Sequence, residues 1–86
     1  MSYFVYIIEC TNKALYTGIT TDLRRRFNQH QTGKGARYTK YNPAVKLRYS
    51  EKCRTRSEAA KREAQIKSWP RVKKLALVEV LDGIMR

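Results

Sequence analysis

Residues Tyr3-Phe-Val-Tyr-Ile-Ile-Glu-Cys10 form an almost unbroken run of β-branched and aromatic side chains. Such residues suit a pleated backbone, and here both alternating sets are largely apolar, so the run predicts a strand with both faces at least partly covered. Thr11-Asn12-Lys13-Ala14 supplies turn chemistry before Leu15–Thr20 resumes the strand pattern, which predicts an antiparallel hairpin. Thr20 or Thr21 then offers an N-cap, with Asp22 in the first turn of a short helix over Leu23 to Gln31 and Gly33 as its stop.

Lys34 to Asn42 reads as a basic loop. After Pro43, the residues Val45, Leu47 and Tyr49 alternate with Lys46, Arg48 and Ser50, the period of a third strand. Thr55-Arg-Ser-Glu58 matches a capping box and opens a second helix running to about Ser68. Pro70 fits the first turn of a third helix carrying Val72, Leu75, Ala76, Val78 and Val80, with Gly83 ending it. The expected order is β-β-α-β-α-α. With 86 residues, this is one α+β domain over 1–86, with a small sheet and helices against it.

Charge narrows the function. Nineteen Lys and Arg against seven Asp and Glu give a formal net charge of +12. A fold that repels itself so strongly calls for a polyanionic partner, because each cation that neutralises a phosphate releases a counterion. No stretch is apolar enough to span a bilayer and no helix pairs a Lys-rich face with a strongly apolar one, so a membrane partner is not expected. The run Tyr3 to Cys10 lacks the charged leader and cleavage site of a signal peptide, and two cysteines without metal-type spacing suit a reducing cytoplasm. Cys10 and Cys53 read as small apolar residues at strand ends. No obligate protein partner is evident.

A few residues stand where packing alone does not explain them. Tyr6 lies inside the first strand and Tyr16 inside the second, with Gly18 on the same side as Tyr16, where a glycine marks close approach of another group. On the first helix Leu23 and Phe27 form the apolar face. Arg26 and His30 lie four apart on a bordering stripe leaning toward the hairpin, whereas Arg24 and Arg25 point toward water or phosphate. On the second helix, Glu58 and Arg62 are spaced as an outer i,i+4 pair. Glu63, by contrast, shares the inward face with Ala59, Ala60 and Ile66, where a carboxylate needs an ion pair, for example with Arg26, or a bound cation. Lys34, Arg37, Lys40 and Arg48, mixed with Tyr38 and Tyr41, offer cations for a backbone and rings for exposed bases, and Gly33 and Gly35 would let backbone N–H groups reach phosphate.

Taken in order, Phe4-Val5-Tyr6, Tyr16-Thr17-Gly18, Arg26 with His30, and Glu63 make the chain resemble the GIY-YIG nuclease superfamily. It looks most similar to small stand-alone bacterial members of unassigned role, through Leu15-Tyr-Thr-Gly-Ile-Thr-Thr-Asp-Leu23, Gly33-Lys-Gly-Ala36 and Arg62-Glu-Ala-Gln-Ile-Lys67. Phe4 and Val5 stand where the first motif has glycine and isoleucine, and Thr17 stands where a β-branched apolar residue is usual; all three keep strand character. The resemblance implies a three-stranded antiparallel sheet flanked by helices. It implies Glu63 as the ligand of one divalent ion, Mg²⁺ or Mn²⁺, and Tyr6 and Tyr16 as the motif tyrosines, one of which activates or orients water. It further implies Arg26 at the scissile phosphate and His30 in proton transfer or phosphate contact. The expected activity is metal-dependent hydrolysis of phosphodiester bonds, in DNA rather than RNA, with structured or single-stranded DNA as substrate. The alternative is a nucleic-acid-binding module, of DNA or RNA, that cleaves poorly or not at all. An unperturbed tyrosine is a poor base at neutral pH, so Arg26 and the metal are expected to lower its pKa or to make a hydrogen-bonding role sufficient, and a neutral His30 is the competing base.

Overall fold

The computed structural model describes the backbone of residues 2–85 and the side chains of residues 2–79. Its elements are β1 (Tyr3–Cys10), β2 (Leu15–Thr20), α1 (Leu23–Gln31), α2 (Arg37–Tyr41), β3 (Ala44–Cys53), α3 (Arg56–Lys67) and α4 (Arg71–Met85). The sheet is antiparallel with order β2-β1-β3, so the apolar run becomes the central strand. Its two residue sets build two separate cores. Val5 and Ile7 pack with Ala59 and Ile66 of α3 and Val78 of α4. On the opposite face Tyr6, Ile8 and Cys10 pack with Ala44, Tyr16 and the Leu23–Phe27 stripe of α1. Burial also raises the Cys10 thiol pKa, which keeps that sulfur an unreactive filler.

Several details differ from the sequence expectations, each for a local reason. Asp22, not Thr20 or Thr21, caps α1 by accepting from Arg25 N at 3.0 Å. Thr20 instead closes a tight turn, its hydroxyl accepting from Asp22 N at 3.1 Å. Lys34 N donates to Gln29 O at 2.8 Å across Gly33, whose φ of 78° makes the expected left-handed stop. The basic loop is not all loop. Arg37–Tyr41 is helical because the Thr39 hydroxyl accepts from Ala36 N and donates to Ala36 O, both at 3.1 Å.

Arg62 does not pair with Glu58. It reaches β3, where Nε donates to Glu51 Oε1 at 2.6 Å, and it also lies over the Trp69 ring. Glu58 turns back to accept from Arg54 N at 3.1 Å, while Glu58 N donates to the Thr55 cap. Pro70 precedes α4 and gives its carbonyl to Lys73 N, so it sits at the cap position just before the first turn. Helix α4 continues through Gly83 to Met85, since an interior glycine costs about 1 kcal/mol and does not by itself end a helix. Leu75 and Val78 pack inward as expected, but Val72 is exposed; the side chain of Val80 lies outside the described residues. The Lys73 ammonium sits 4.5 Å from the Trp69 ring centre.

Thr17, opposite Ile7 in the hairpin, is buried with a hydroxyl that finds no hydrogen-bond partner among the described residues. Replacing it with the isosteric valine removes an unsatisfied polar group. Thr17→Val is expected to stabilise the chain by about 1 kcal/mol, raising Tm by about 4–8 °C in a domain of this size. Calorimetry showing no rise would mean the hydroxyl is satisfied in solution.

Candidate active site

Strand periodicity puts Tyr6, Tyr16 and Gly18 on one face, and the hairpin register sets Tyr6 directly opposite Gly18. The reason for the glycine is then steric. A Cβ at position 18 would lie 2.4 Å from Tyr6 Oη and 2.6 Å from its Cζ. The phenol therefore lies flat across the bare backbone of β2 and reaches α1. There its hydroxyl meets His30 Nε2 at 2.7 Å.

His30 is fully buried and its second nitrogen, Nδ1, is 2.9 Å from Thr39 Oγ1. The Thr39 hydroxyl has one proton and directs it to Ala36 O. Its lone pair must then accept from His30 Nδ1–H, which leaves Nε2 unprotonated and makes the Tyr6 hydroxyl the donor. Gly35 completes the seat: a Cβ there would lie 2.5 Å from His30 Nδ1. Gly35 thus leaves room for the imidazole.

The electrostatics follow from burial. The His30 imidazole is pushed from its usual 6.5 to about 4, first by desolvation and then by the neighbouring Arg26 cation. Tyr6 is raised above its ordinary value because desolvation outweighs the adjacent Arg26 guanidinium. Arg26 does act to lower the tyrosine, as expected, but burial outweighs it: phenol and imidazole are both neutral at neutral pH, with the proton on the phenol.

Tyr16 borders the same imidazole, its ring centre 5.1 Å away, and stacks on Tyr38 at 6.1 Å with planes 15° apart. Arg26 stands beside the Tyr6 hydroxyl, steadied by a 3.0 Å bond to Gln29 Oε1. Helix α3 lies across β1 and β2, and Lys67 reaches to 6.0 Å from the Tyr16 ring centre at the sheet's edge. Glu63 is partly buried, as its helical position predicted, but its ion-pair partner is Lys67 at 3.4 Å, not Arg26.

The sequence profile of the GIY-YIG catalytic domain matches residues 2–76. The chain belongs to the GIY-YIG family. It is 47% identical over 78 residues to a UPF0213 protein of Staphylococcus aureus strain Mu3, covering 91% of this chain and 95% of that one. Two solution NMR structures share the fold. The UPF0213 protein from Bacillus halodurans has a TM-score of 0.60 at 39% identity over 93% of this chain and 85% of its own. A protein from E. faecalis has a TM-score of 0.62 at 35% identity over 95% and 88%. A GIY-YIG domain implies a nuclease-type family acting on nucleic acid, whose nucleases generally use a divalent metal.

In this GIY-YIG chain the donor set fits such an ion. Among the described residues no three His, Cys, Asp or Glu side chains gather, which disfavours a zinc-type cage. One partly buried carboxylate, Glu63, is an oxygen donor of the type a hard divalent ion takes. Lys67 is half-exposed, and an i,i+4 pair of that sort contributes at most about 0.5 kcal/mol.

The expected nucleic-acid surface is only partly assembled. Tyr38 is exposed and bonded through its hydroxyl to Asn12 Nδ2 at 2.8 Å, and Lys40 lies over the ring of exposed Tyr41. Lys34, just before this helix, and Arg37, its first residue, are both exposed. Arg48 does not join them as an open cation; it is half-buried in an ion pair with Glu9 on β1. Sequence reasoning missed Thr39 and Lys67. A threonine within an apparent loop carries no signal of its contact with a distant histidine, but the four-residue spacing of Glu63 and Lys67 was readable.

Two outcomes are expected here. Gly18→Ala must displace the buried Tyr6 ring, costing about 1–3 kcal/mol by overpacking and breaking the phenol–imidazole bond. An unchanged Tm together with an unchanged His30 imidazole NMR signal would contradict it. The second concerns pH. Folded His30 takes a proton only near pH 4 and the unfolded imidazole near 6.5, so the unfolded state binds more protons in that interval. Its stabilisation is complete above pH 6.5 and is lost progressively as pH falls toward 4, by about 3 kcal/mol in all. Denaturation midpoints across that window, compared with a His30→Gln protein, measure the effect; an NMR titration of His30 near 6.5 would refute it.

Proposed function

We propose that this chain is a divalent-metal-dependent endonuclease that hydrolyses phosphodiester bonds in DNA, structured or single-stranded. The observation that carries this reading is the buried chain Tyr6 Oη–H to His30 Nε2, with Nδ1–H held by Thr39. A binding module has no use for a neutral, oriented imidazole behind a phenol. In hydrolysis, Tyr6 Oη takes the proton of the attacking water while passing its own to His30 Nε2. A resting pKa of about 4 makes His30 a weak base, so the transfer gains force only as negative charge builds on the phosphate beside it. Arg26, permanently charged and forked, holds a non-bridging oxygen and offsets that charge. Glu63 would hold the divalent ion, Mg²⁺ or Mn²⁺, which supplies Lewis-acid polarisation of the phosphoryl group when bound. Tyr16 orients the water or the phosphate from the neighbouring position, and Lys34, Arg37, Tyr38 and Lys40 receive the strand.

The second reading, a binding module without cleavage, draws on the Lys67–Glu63 pair, which already gives the carboxylate a cation. A labelled panel of single-stranded, duplex, flap and branched DNA, incubated with Mg²⁺, Mn²⁺ or chelator, separates the two. The endonuclease reading expects cutting that chelator abolishes. Retained binding with no cutting on any member would transfer the conclusion to the binding module.

A further inference from the structure

At the open end of the hairpin a cavity of about 410 Å³ is lined by Tyr3, Ile19, Thr20, Arg25, Arg26 and Arg56, among others. Three guanidiniums converge there and no carboxylate is among the lining residues. Arg25 and Arg56 have no ion-pair partner among the described residues, whereas Arg48, Arg62 and Lys67 each have one. Cations held together without a counter-charge repel one another, and an anion relieves that cost. Tyr3 and Ile19 give the cavity an apolar floor, which suits a sugar or base more than free phosphate alone.

Its position matters more than its charge. Arg26 belongs to both the cavity and the Tyr6 centre, so the two are continuous. Arg56 and Glu63 are seven residues apart on α3, two turns along one face and about 10.5 Å in length. Lys67 continues the same face, one turn beyond Glu63. Helix α3 runs opposite to β2 along the sheet edge: Lys67 covers Tyr16, while Arg56 shares the cavity with Thr20. From Tyr16 to Thr20 the strand spans four residues, about 13 Å. The Tyr16–Tyr38 stack thus lies at one end of this track, Tyr6, Arg26 and Glu63 at its middle, and the arginine cavity at the other end.

We infer that Arg25 and Arg56 of this cavity, adjoining Arg26 at the scissile phosphate, form a backbone subsite for a single DNA strand, taking the phosphate that flanks the scissile one on the side away from Tyr38. This rests on the endonuclease reading for the position of the scissile phosphate. The strand lies in the trough between α3 and the edge strand β2, with one base against the Tyr38 ring and the next sugar-phosphate against Tyr3 and the arginines.

The test is fluorescence anisotropy of the full chain with a short labelled single-stranded DNA, in chelator, over a salt series. For single strands each phosphate contact adds about 0.7 to the slope of log K against log salt. Arg56→Gln and Arg25→Gln should each lower the slope by about 0.7, and the double variant by about 1.4. Lys61→Gln, the same charge change on the outward face of α3, should leave it unaltered. Equal small effects from all three sites would overturn the subsite, since the cavity would then count only toward net charge. Thymidine 5′-monophosphate supplies the second arm, followed by amide shifts around residues 19–26 and 56. Displacement by the oligonucleotide supports the strand track. Saturation there that the oligonucleotide does not disturb overturns it in favour of a small phosphoester pocket. Chelator makes the slopes independent of cutting. A chain that never cuts but loses slope at Arg56 keeps the subsite and loses the endonuclease reading; a chain that cuts with unaltered slopes does the reverse.

Discussion

Glu63→Ala is expected to cut DNA about 10²- to 10³-fold more slowly with Mg²⁺ present, the scale of losing one electrostatic support in the transition state. Its binding in chelator should not weaken. The substitution removes a negative charge from the surface that receives phosphate and frees Lys67 from its pair, so affinity at low salt should rise slightly. Opposite movements of cleavage and binding are a signature that misfolding cannot mimic. Folding itself should change little, since the lost ion pair is a half-exposed one. Equal cleavage by both proteins would remove Glu63 from the metal's shell and with it the basis for a metal-dependent reaction here.

Tyr6→Phe tests the proton path. The ring still fills its place across Gly18, but the hydroxyl that bonds His30 Nε2 is gone. Removing a positioned acid–base group should cost about 10²- to 10⁴-fold in rate. Stability should fall by about 1–3 kcal/mol as well, because Nε2 is left without a partner in a buried setting. Kinetic measurement of Tyr6→Phe, His30→Gln and the double variant completes the argument. If phenol and imidazole act as one unit, the double variant is scarcely slower than the worse single one. Additive losses would mean that they work separately, and normal cutting by Tyr6→Phe would exclude the path altogether.

The parts of this molecule that sequence reveals are those set by periodicity. Alternation along Tyr3–Cys10 and Leu15–Thr20 puts Tyr6, Tyr16 and Gly18 on one face, and the 3.6-residue repeat groups Arg26 with His30 and turns Glu63 inward. What sequence hides are choices among partners. Glu63 was expected to meet Arg26 or a bound cation and takes Lys67; Arg62 had a local carboxylate in Glu58 and crosses to Glu51 instead, where Tyr49 Oη also donates at 2.7 Å. Such choices turn on sub-ångström geometry and small energy differences, not on pattern. The short helix over Arg37–Tyr41 is hidden for another reason. Five residues do not hold a helix by propensity, and this one is held by Thr39, whose hydroxyl serves Ala36 and the buried imidazole at once.

The pairing of Tyr6 with Gly18 has a consequence for reading relatives of this chain. The two positions cannot vary independently: a side chain at the glycine evicts the phenol, whereas loss of the phenol leaves room at the glycine. A relative bearing alanine or larger at that place should also have abandoned the tyrosine opposite. Such a double departure would mark a lineage that kept the sheet and surrendered the chemistry, recognisable by eye before any assay is run.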